Sequence, residues 1–335
     1  MSRTARRGVI VLAALLVACG EREPEIVDGD RIVVGAAPAV LERVGPRLHR
    51  ALEPTPFALP DAKAFELTEV DPASEAWAEA RRAPQVLLIG GPEDPWIVEA
   101  LDRRNVELAQ VPSQTELANV WAPRQHVLVL VLAPDDTRGL SERQLTDLRG
   151  LYDRRYRGYV VERMYFPEGP YNALADTLEE RGGFELLVPV GSRWTEEDDV
   201  YLFEPPVNDS SGIARHLMVT WQSPIPQGLQ SDARALLTWR ERIAAEHYPS
   251  PQRVERTQVR GGPTTQRGSR AIQLLGGWRQ GGQRGAFLMR GVVCPVQDRM
   301  YLIDGWMNAP VQGGQEQMVE IESILNSFRC GSAEG

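Results

Sequence analysis

Residues 270–309, RAIQLLGGWRQGGQRGAFLMRGVVCPVQDRMYLIDGWMNA, contain three strand-like runs in direct succession. The runs 270–280, 285–294 and 299–309 are rich in aliphatic, β-branched and aromatic residues, a composition typical of β-strands. The glycines of 281–285 predict a hairpin turn between the first two runs, because glycine readily adopts the positive φ angles that tight turns require. The segment therefore predicts a sheet late in the chain.

The remaining segments predict helices and strands on both sides of position 170. Strand-like runs and helical periodicity alternate from residue 31 to about 165, and Ser141 is a suitable N-cap for a long helix there. From about residue 183 onward, strands predominate, the first of them expected over 184–190, and helices are expected at 229–247 and 315–328. We therefore expect an α+β fold of two halves, 31–165 and 183–330, each a mixed or mostly antiparallel sheet with helices packed on one face.

The first nineteen residues have the pattern of an exported lipoprotein. Arg3, Arg6 and Arg7 precede an apolar stretch too short to form a stable membrane span, and Leu16-Val17-Ala18-Cys19 follows. This pattern resembles a bacterial lipobox, which implies removal of residues 1–18 and attachment of diacylglycerol to Cys19. The alternative is an ordinary signal peptide with a chance cysteine. Residues 19–30 are polar and acidic and are interpreted as a tether.

Charge and hydropathy limit the classes of partner. The chain has 37 basic and 46 acidic side chains, and loss of residues 1–18 would change its formal charge from −9 to −12. Such a chain has no global attraction for nucleic acid or anionic lipid, so binding of either would need a local patch, and no nucleic-acid partner is predicted. No other apolar run reaches the length of a membrane span. We expect the lipid to provide the membrane attachment, at the outer membrane, because glycine rather than aspartate follows Cys19.

Two cysteines remain once Cys19 is lipidated. Cys294 and Cys330 form an even pair in a compartment that permits disulfides, and we predict a bridge that ties the last helix to the sheet. Two separate buried thiols are the alternative, since sequence alone does not supply the Cα separation.

No motif in the chain specifies a catalytic or metal centre. The histidines (His49, His126, His216 and His247) lack metal-ligand spacing, and no cofactor is predicted. Ser210-Ser211 lacks the context of a nucleophile elbow. The carboxylates of Glu179-Glu180, on a predicted helix surface, and of 196–199, in a predicted loop, could serve acid–base chemistry, but such runs are more often solvated. The second run could also bind calcium, although it lacks the spacing of an EF-hand loop. Gly90-Gly91 before Asp94-Pro95 could cradle an anion, although a plain strand-to-helix turn is favoured.

Charge is most unusual between positions 253 and 299. Nine arginines lie there against two acidic residues, Glu255 and Asp298. If Arg270 and Arg290 project from the same face of the sheet, that face could bind phosphate, lipid A, an anionic envelope polymer of the teichoic type or an acidic protein patch. The alternative is that these arginines pair with acidic residues from elsewhere in the chain. The candidate face for an anionic partner is Arg270, Arg279, Arg284 and Arg290.

Several short segments, in this order behind a lipobox, resemble one family of bacterial lipoproteins. They are 119–125 (NVWAPRQ), 183–189 (GFELLVP), 211–213 (SGI), 276–279 (GGWR) and 305–310 (GWMNAP). The family is domain of unknown function 4837. The resemblance covers nearly the whole chain after Cys19 and implies an exported, lipid-anchored α+β protein, without implying an activity, substrate or catalytic residue. Cys294 and Cys330 are not part of the family pattern.

Together these features favour a non-enzymatic, lipid-anchored protein of the cell envelope that binds or helps to assemble another envelope component. The expected partners are the membrane, through the lipid, and an envelope protein or anionic polymer. An envelope hydrolase that uses carboxylates or a metal site assembled by the fold is the alternative. A surface lipoprotein with a purely structural role is the third possibility.

Overall fold

The computed structural model describes residues 29–59, 62–108, 110–133, 139–207, 212–230, 232–249, 251–308 and 314–332. The lipobox, Cys19 and most of the tether lie outside these ranges, so the lipidation of Cys19 stays a prediction. The α-helices of the described residues are α1 (Pro38–Leu52), α2 (Trp77–Ala80), α3 (Pro95–Asp102), α4 (Glu142–Tyr165), α5 (Asn172–Gly182), α6 (Ala233–His247) and α7 (Gln315–Ser327).

The strands fall into two large sheets and one short pair. Those of the first sheet are β1 (Arg31–Gly35), β2 (Glu66–Val70), β3 (Gln85–Gly90), β4 (Ser113–Ala118) and β5 (His126–Val131). The next are β6 (Phe184–Glu185), β7 (Arg193–Glu197), β8 (Val200–Glu204), β9 (Arg215–Gln222), β10 (Arg253–Val254) and β11 (Arg260–Gln266). The last are β12 (Ser269–Gln280), β13 (Gln283–Cys294), β14 (Arg299–Asn308) and β15 (Arg329–Cys330).

The first sheet is mixed, in the order β2-β1-β3-β5-β4. Its first four members run parallel, and β4 runs antiparallel to β5. Every residue of β3 and β5 is buried, because α1 and α4 cover one face of the sheet while α2 and α3 cover the other. This two-sided burial explains why both strands are continuous apolar runs instead of alternating ones.

The second sheet is antiparallel and follows the order β10-β12-β13-β14-β9-β8-β7, with β11 paired beside β10 on β12. Alternate residues of β12 project to opposite faces, as a strand requires. Ile272, Leu274 and Trp278 pack with α6, whereas Ala271 and Leu275 join the core on the opposite face, where α7 lies. The short pair β6–β15 closes the chain beside this sheet.

The α+β class and the mixed and antiparallel sheets are confirmed, but helices cover both faces of each sheet instead of one. The expected strand over 184–190 reduces to the two residues of β6, and β4, β7 and β11 were not predicted. None of the described helices combines the length and apolarity needed to cross a membrane. The strands of the two sheets come from the two predicted halves, yet a single apolar cluster contains residues of both. The division into two domains stays a prediction.

Helix α7 lies between α4 and the second sheet, in the middle of this shared core. Its apolar residues, including Met318 and Ile321, are fully buried. Its glutamates pair with arginines on both sides: Glu316 with Arg163 and Glu322 with Arg157 of α4, and Glu320 with Arg215 of β9. The Arg215–Glu320 pair spans 2.7 Å and both side chains are 1% exposed.

The predicted disulfide between Cys294 and Cys330 is present, with Cα atoms 5.8 Å apart. It connects the end of β13 to β15, immediately after α7. Gln266 of β11 supports the same region, because its Nε2 donates to the carbonyl oxygens of Leu325 and Phe328 at 3.1 and 2.9 Å. The bridge therefore secures the C-terminal end of α7 to the sheet.

Removing the bridge by Cys294→Ser together with Cys330→Ser should lower the free energy of unfolding by about 3–4 kcal/mol, since the unfolded chain regains the entropy of a closed loop. Urea denaturation of the oxidised protein and the double variant measures the difference. A reductant should lower the stability of the parent protein alone. Equal stability of parent and variant would contradict the prediction.

Candidate functional site: an arginine cleft at the tip of a hairpin

The hairpin of β12 and β13 ends in a two-residue turn. Gln280 pairs with Gln283, and Gly281 and Gly282 between them have φ angles of 52° and 88°. Two successive residues in the left-handed region characterise the type I′ turn, which matches the twist of antiparallel strands and favours glycine. The predicted hairpin is therefore confirmed, and its turn fixes which residues of the two strands face each other.

This register brings three arginines into one row across three strands. Arg279 lies opposite Arg284 on β13 and opposite Arg253 on β10. Directly paired residues of antiparallel strands project from the same face. Trp278 points toward α6, so the three arginines project from the opposite face, beyond the part of the sheet that α7 covers. We call Arg253, Arg279 and Arg284 the arginine row.

The arginine row lines an open cleft of about 710 Å³. Arg279 pairs with Glu255, and its side chain is still 66% exposed. Arg253 and Arg284 are exposed and have no ion pair with any described residue. The lining residues are Pro251, Arg253, Arg279, Gln280, Gly281, Gly282, Gln283 and Arg284. The cleft therefore presents two uncompensated guanidinium groups on either side of a compensated one.

The structure corrects the predicted four-arginine face, of which Arg279 and Arg284 stay together while Arg270 and Arg290 do not. Gln273 is the residue of β12 that lies opposite Arg290, so Arg270, three positions earlier, projects from the other face. Arg270 donates to Gln230 at 2.8 Å there. Arg270 and Arg290 therefore do not project from the same face, and the predicted four-arginine face does not form.

Arg290 shares a face with the arginine row, but α7 covers it. It is 5% exposed, and its guanidinium donates to the side-chain oxygens of Gln273, Gln266 and Asn326 at 2.6–2.8 Å. Burial lowers its pKa. Six residues of extended strand, about 20 Å, separate it from Arg284. Arg290 thus connects α7 to the sheet and is unavailable to a partner.

Two further arginines of the basic segment follow the alternative interpretation, in which they are partnered elsewhere in the fold. Arg256 pairs with Glu241 of α6. Arg299 donates to the carbonyl oxygen of Gly182 at 2.8 Å and lies over the ring of Trp221. The number of arginines in the sequence therefore identified the basic segment, but it overestimated how much positive charge that segment exposes.

A second charged cluster lies under α6 and is fully buried. Arg240 Nε is 2.7 Å from Asp304 Oδ2, and the hydroxyl of Tyr248 donates to the same oxygen at 2.6 Å. Burial raises the pKa of Asp304, and the guanidinium opposes that shift. Arg240 also lies over Phe287, and Tyr248 stacks on Trp306. With both charged side chains 0% exposed, this cluster holds α6 on the sheet.

The four histidines lie on four different elements, α1, β5, β9 and α6. His49 contacts Glu53 and Glu69, His126 contacts Glu116, and His216 stacks on Trp306. The described residues contain no group of three or more histidine, cysteine or acidic side chains arranged to hold a metal ion.

The carboxylates at 196–199 lie in a hairpin, which corrects the loop predicted there. Asp198 and Asp199 form the turn between β7 and β8, with φ angles of 51° and 60°. Glu196 accepts a hydrogen bond from the hydroxyl of Tyr201 at 2.8 Å. Glu179 and Glu180 lie on α5, as predicted, near its C-terminal end.

The turn at Gly90-Gly91 is the plain strand-to-helix turn that was favoured. Asp94 is the N-cap of α3 and Pro95 its first residue. The Asp94 carboxylate accepts the N–H of Gly91 at 2.7 Å, so the chain itself supplies the negative group at that position. Ser210 and Ser211 lie outside the described residues.

Comparison with known proteins leaves the family of the chain open. No family model matches it, and no curated protein matches it. The similarity to domain of unknown function 4837 stays a prediction.

Solved structures provide partial and weak similarities. The Saccharomyces cerevisiae Ran-binding protein MOG1P is 12% identical, with 45% of this chain and 92% of that chain covered and a TM-score of 0.31. LpqN of Mycobacterium tuberculosis, which is involved in cell envelope biogenesis, is 15% identical, with coverages of 43% and 79% and a TM-score of 0.27. Similarities at these scores support no inference about this chain.

Arg253 is the member of the arginine row that the predicted face omitted. It belongs to the basic segment, but β10 contains only two residues and carries no strand pattern of its own. Its position follows from its pairing with Arg279 across the sheet. No local sequence signal reports such a pairing.

His126 should make the free energy of unfolding depend on pH. Its side chain is 6% exposed, and burial, aided by Arg155, lowers its pKa from 6.5 to about 4. The unfolded chain protonates His126 at a higher pH than the folded protein does. Above about pH 6.5 the histidine is neutral in both states, so the free energy of unfolding is at its full value; it falls as the pH drops from 6.5 toward 4. His126→Gln should remove about 2–3 kcal/mol of the acid-induced loss of stability.

Urea denaturation of the parent protein and His126→Gln at pH 7, 5.5 and 4 measures this difference. The two proteins should show different slopes of unfolding free energy against pH between pH 6.5 and 4. Parallel slopes would show that His126 does not titrate as its burial implies.

Proposed function

We propose that the protein is a lipid-anchored, non-enzymatic binding module of the cell envelope that holds an anionic partner at the arginine cleft. The observation that carries this proposal is the arginine row itself, in which β-sheet register places Arg253, Arg279 and Arg284 side by side at an exposed end of the second sheet. Three cations on adjacent strands, of which Glu255 compensates one, attract an anion that bridges them.

The chemistry of the cleft supports binding rather than catalysis. The planar guanidinium group offers parallel N–H donors that match the oxygens of phosphate and carboxylate groups. The described residues that line the cleft are arginines, glutamines, glycines and a proline, without a carboxylate, imidazole, hydroxyl or thiol. These groups can position an anion, but they do not provide a nucleophile or an acid–base pair.

Because the protein as a whole is acidic, an anionic partner should bind at the cleft and not elsewhere on the surface. The whole chain has a formal charge of −9, so an anion gains no attraction from most of the surface. Binding depends on the local row, and we expect it to weaken strongly as salt is added. A partner with several phosphate or carboxylate groups, such as an anionic envelope polymer or an acidic protein segment, fits this requirement.

Export and attachment follow from the first residues of the sequence. A lipid on Cys19 would hold the domain at the membrane, and Gly20 favours the outer membrane. The partner would then be encountered in the envelope, near the membrane surface.

Binding of inorganic tripolyphosphate to the full-length lipoprotein in an uncharged detergent tests the site. Arg253→Ser together with Arg284→Ser should weaken binding about tenfold, because two exposed charge-assisted contacts of about 0.5–1 kcal/mol each are lost. Titration calorimetry at low and physiological salt gives the affinities.

The matched control is Arg104→Ser with Arg154→Ser, which removes two exposed arginines that have no described ion pair and do not line the cleft. This control has the same net charge as the cleft variant and should bind like the parent protein. Equal weakening in both variants would attribute binding to net charge, and the arginine cleft would be rejected as the site.

Attachment is tested separately by Cys19→Ala. We expect the parent protein to incorporate labelled fatty acid and to sediment with membranes, and the variant to lose both properties, because its side chain has no sulfur to acylate. Labelling of the variant would contradict lipidation at Cys19.

A further inference from the structure

We infer that the anionic partner of the arginine row is the phospholipid headgroup layer of the bilayer that anchors the chain, an inference that rests on the proposed function. The row would then orient the domain on its own membrane. Such an orientation requires that the chain enters the fold near the cleft.

The hairpin tip lies at the end of the second sheet where α7 begins. Gly285, beside Arg284, pairs with Asn308 at the end of β14. Helix α7 runs antiparallel to β14: a Cβ on Gly305 would meet the side chain of Ile321, and Asn326, further along α7, accepts a hydrogen bond from Arg290, which pairs with Ile303. The first turn of α7 is therefore at the same end of the molecule as the arginine row.

Helix α4 ends at that same end, because it runs antiparallel to α7. Arg163, in its last turn, pairs with Glu316 in the first turn of α7. Arg157, nearly two turns earlier, pairs with Glu322, further along α7. The two pairs fix the direction of one helix against the other.

The tether joins the fold beside residues 156–159 of α4, about two turns before the helix ends at Tyr165. A Cβ on Gly29 would lie 3.3 Å from the rings of both Tyr156 and Tyr159, and β1 begins two residues later. The amide of Gln85 donates to the carbonyl oxygen of Gly29 and holds this point in place. The end of the tether therefore lies beside the half of α4 that is nearer to the arginine row, and the α4 and α7 layers separate the two by at least about 20 Å.

The length of the tether keeps that end near the bilayer. Ten residue steps separate Cys19 from Gly29, and an extended chain covers at most about 3.3–3.6 Å per residue, so the fold begins within about 36 Å of the lipidated sulfur. A cleft about 20 Å to the side of this point can reach the same headgroups.

The charges of the arginine row favour contact. Glu255 is paired with Arg279, which leaves Arg253 and Arg284 as the uncompensated charges of the row. The tether carries Glu21, Glu23, Glu25, Asp28 and Asp30 against Arg22, so an anionic surface repels it. The arginines are therefore the groups that would draw the domain onto anionic headgroups, over a range of about one Debye length, near 10 Å.

Depth-dependent quenching tests this orientation. The full lipidated protein is reconstituted into vesicles of phosphatidylcholine with or without phosphatidylglycerol, each containing a headgroup-level quencher. A fluorophore is placed through Gln283→Cys in the cleft or through Arg143→Cys at the opposite end of α4, where the parent side chain is 92% exposed. We expect stronger quenching at position 283 than at 143, and only with phosphatidylglycerol.

Adding Arg253→Ser and Arg284→Ser to the Gln283→Cys protein should abolish the excess quenching, whereas Arg104→Ser with Arg154→Ser should preserve it. Equal quenching at 283 and 143 in anionic vesicles would overturn the inference. If tripolyphosphate still bound the cleft in that case, the proposed function would stand with a soluble or protein polyanion as the partner. If neither probe bound, the proposed function would fail as well.

Discussion

The position of α7 between α4 and the second sheet is the constraint on which the rest of the molecule depends. Three glutamates on one helix meet arginines from two different layers, and the Arg215–Glu320 pair is withdrawn almost entirely from solvent. Breaking one partner of such a pair costs far more than the pair contributes, because an uncompensated buried charge remains. The pairs therefore fix the direction and register of α7, and through it the relation between the two sheets. Arg290 and the disulfide then secure its C-terminal end.

The arginine cleft follows from this arrangement. The β12–β13 hairpin is longer than the part of the sheet that α7 covers, so arginines on one face meet different environments. Arg290 lies under the helix and is saturated by amide oxygens, whereas Arg284 lies beyond it and remains exposed. The same residue type on the same strand face is thus structural at one position and available to a partner at another. The site therefore exists because the hairpin extends past the helix that covers it, and not because the sequence is rich in arginine there.

Much of the fold was predictable because it depends on local patterns. Ser141 and Gln144 form the capping box that begins α4, Gly281-Gly282 forms the hairpin turn, and the apolar run in β5 is a central strand. The elements that were missed lack such patterns. β4 and β7 are edge strands with exposed polar residues, and β11 contains two glycines and a proline, so pairing with a neighbour rather than composition makes them strands. Helices on both faces of each sheet were likewise missed, because the layer that covers a face comes from distant sequence.

The sequence by itself determined the α+β class, a hairpin turn within 281–285 and the concentration of arginine between 253 and 299, and it favoured pairing of the two cysteines. Each depends on neighbouring residues, on backbone preferences or, for the cysteines, on the even number that remains once Cys19 is lipidated. Only the tertiary structure decided that Arg253 joins Arg279 and Arg284, that Arg270 faces α6, and that Arg290 lies beneath α7. Strand register and helix coverage bring together residues far apart in the chain. A shift of one residue would exchange the two faces, and so the exposed and buried arginines could be told apart only in the folded protein.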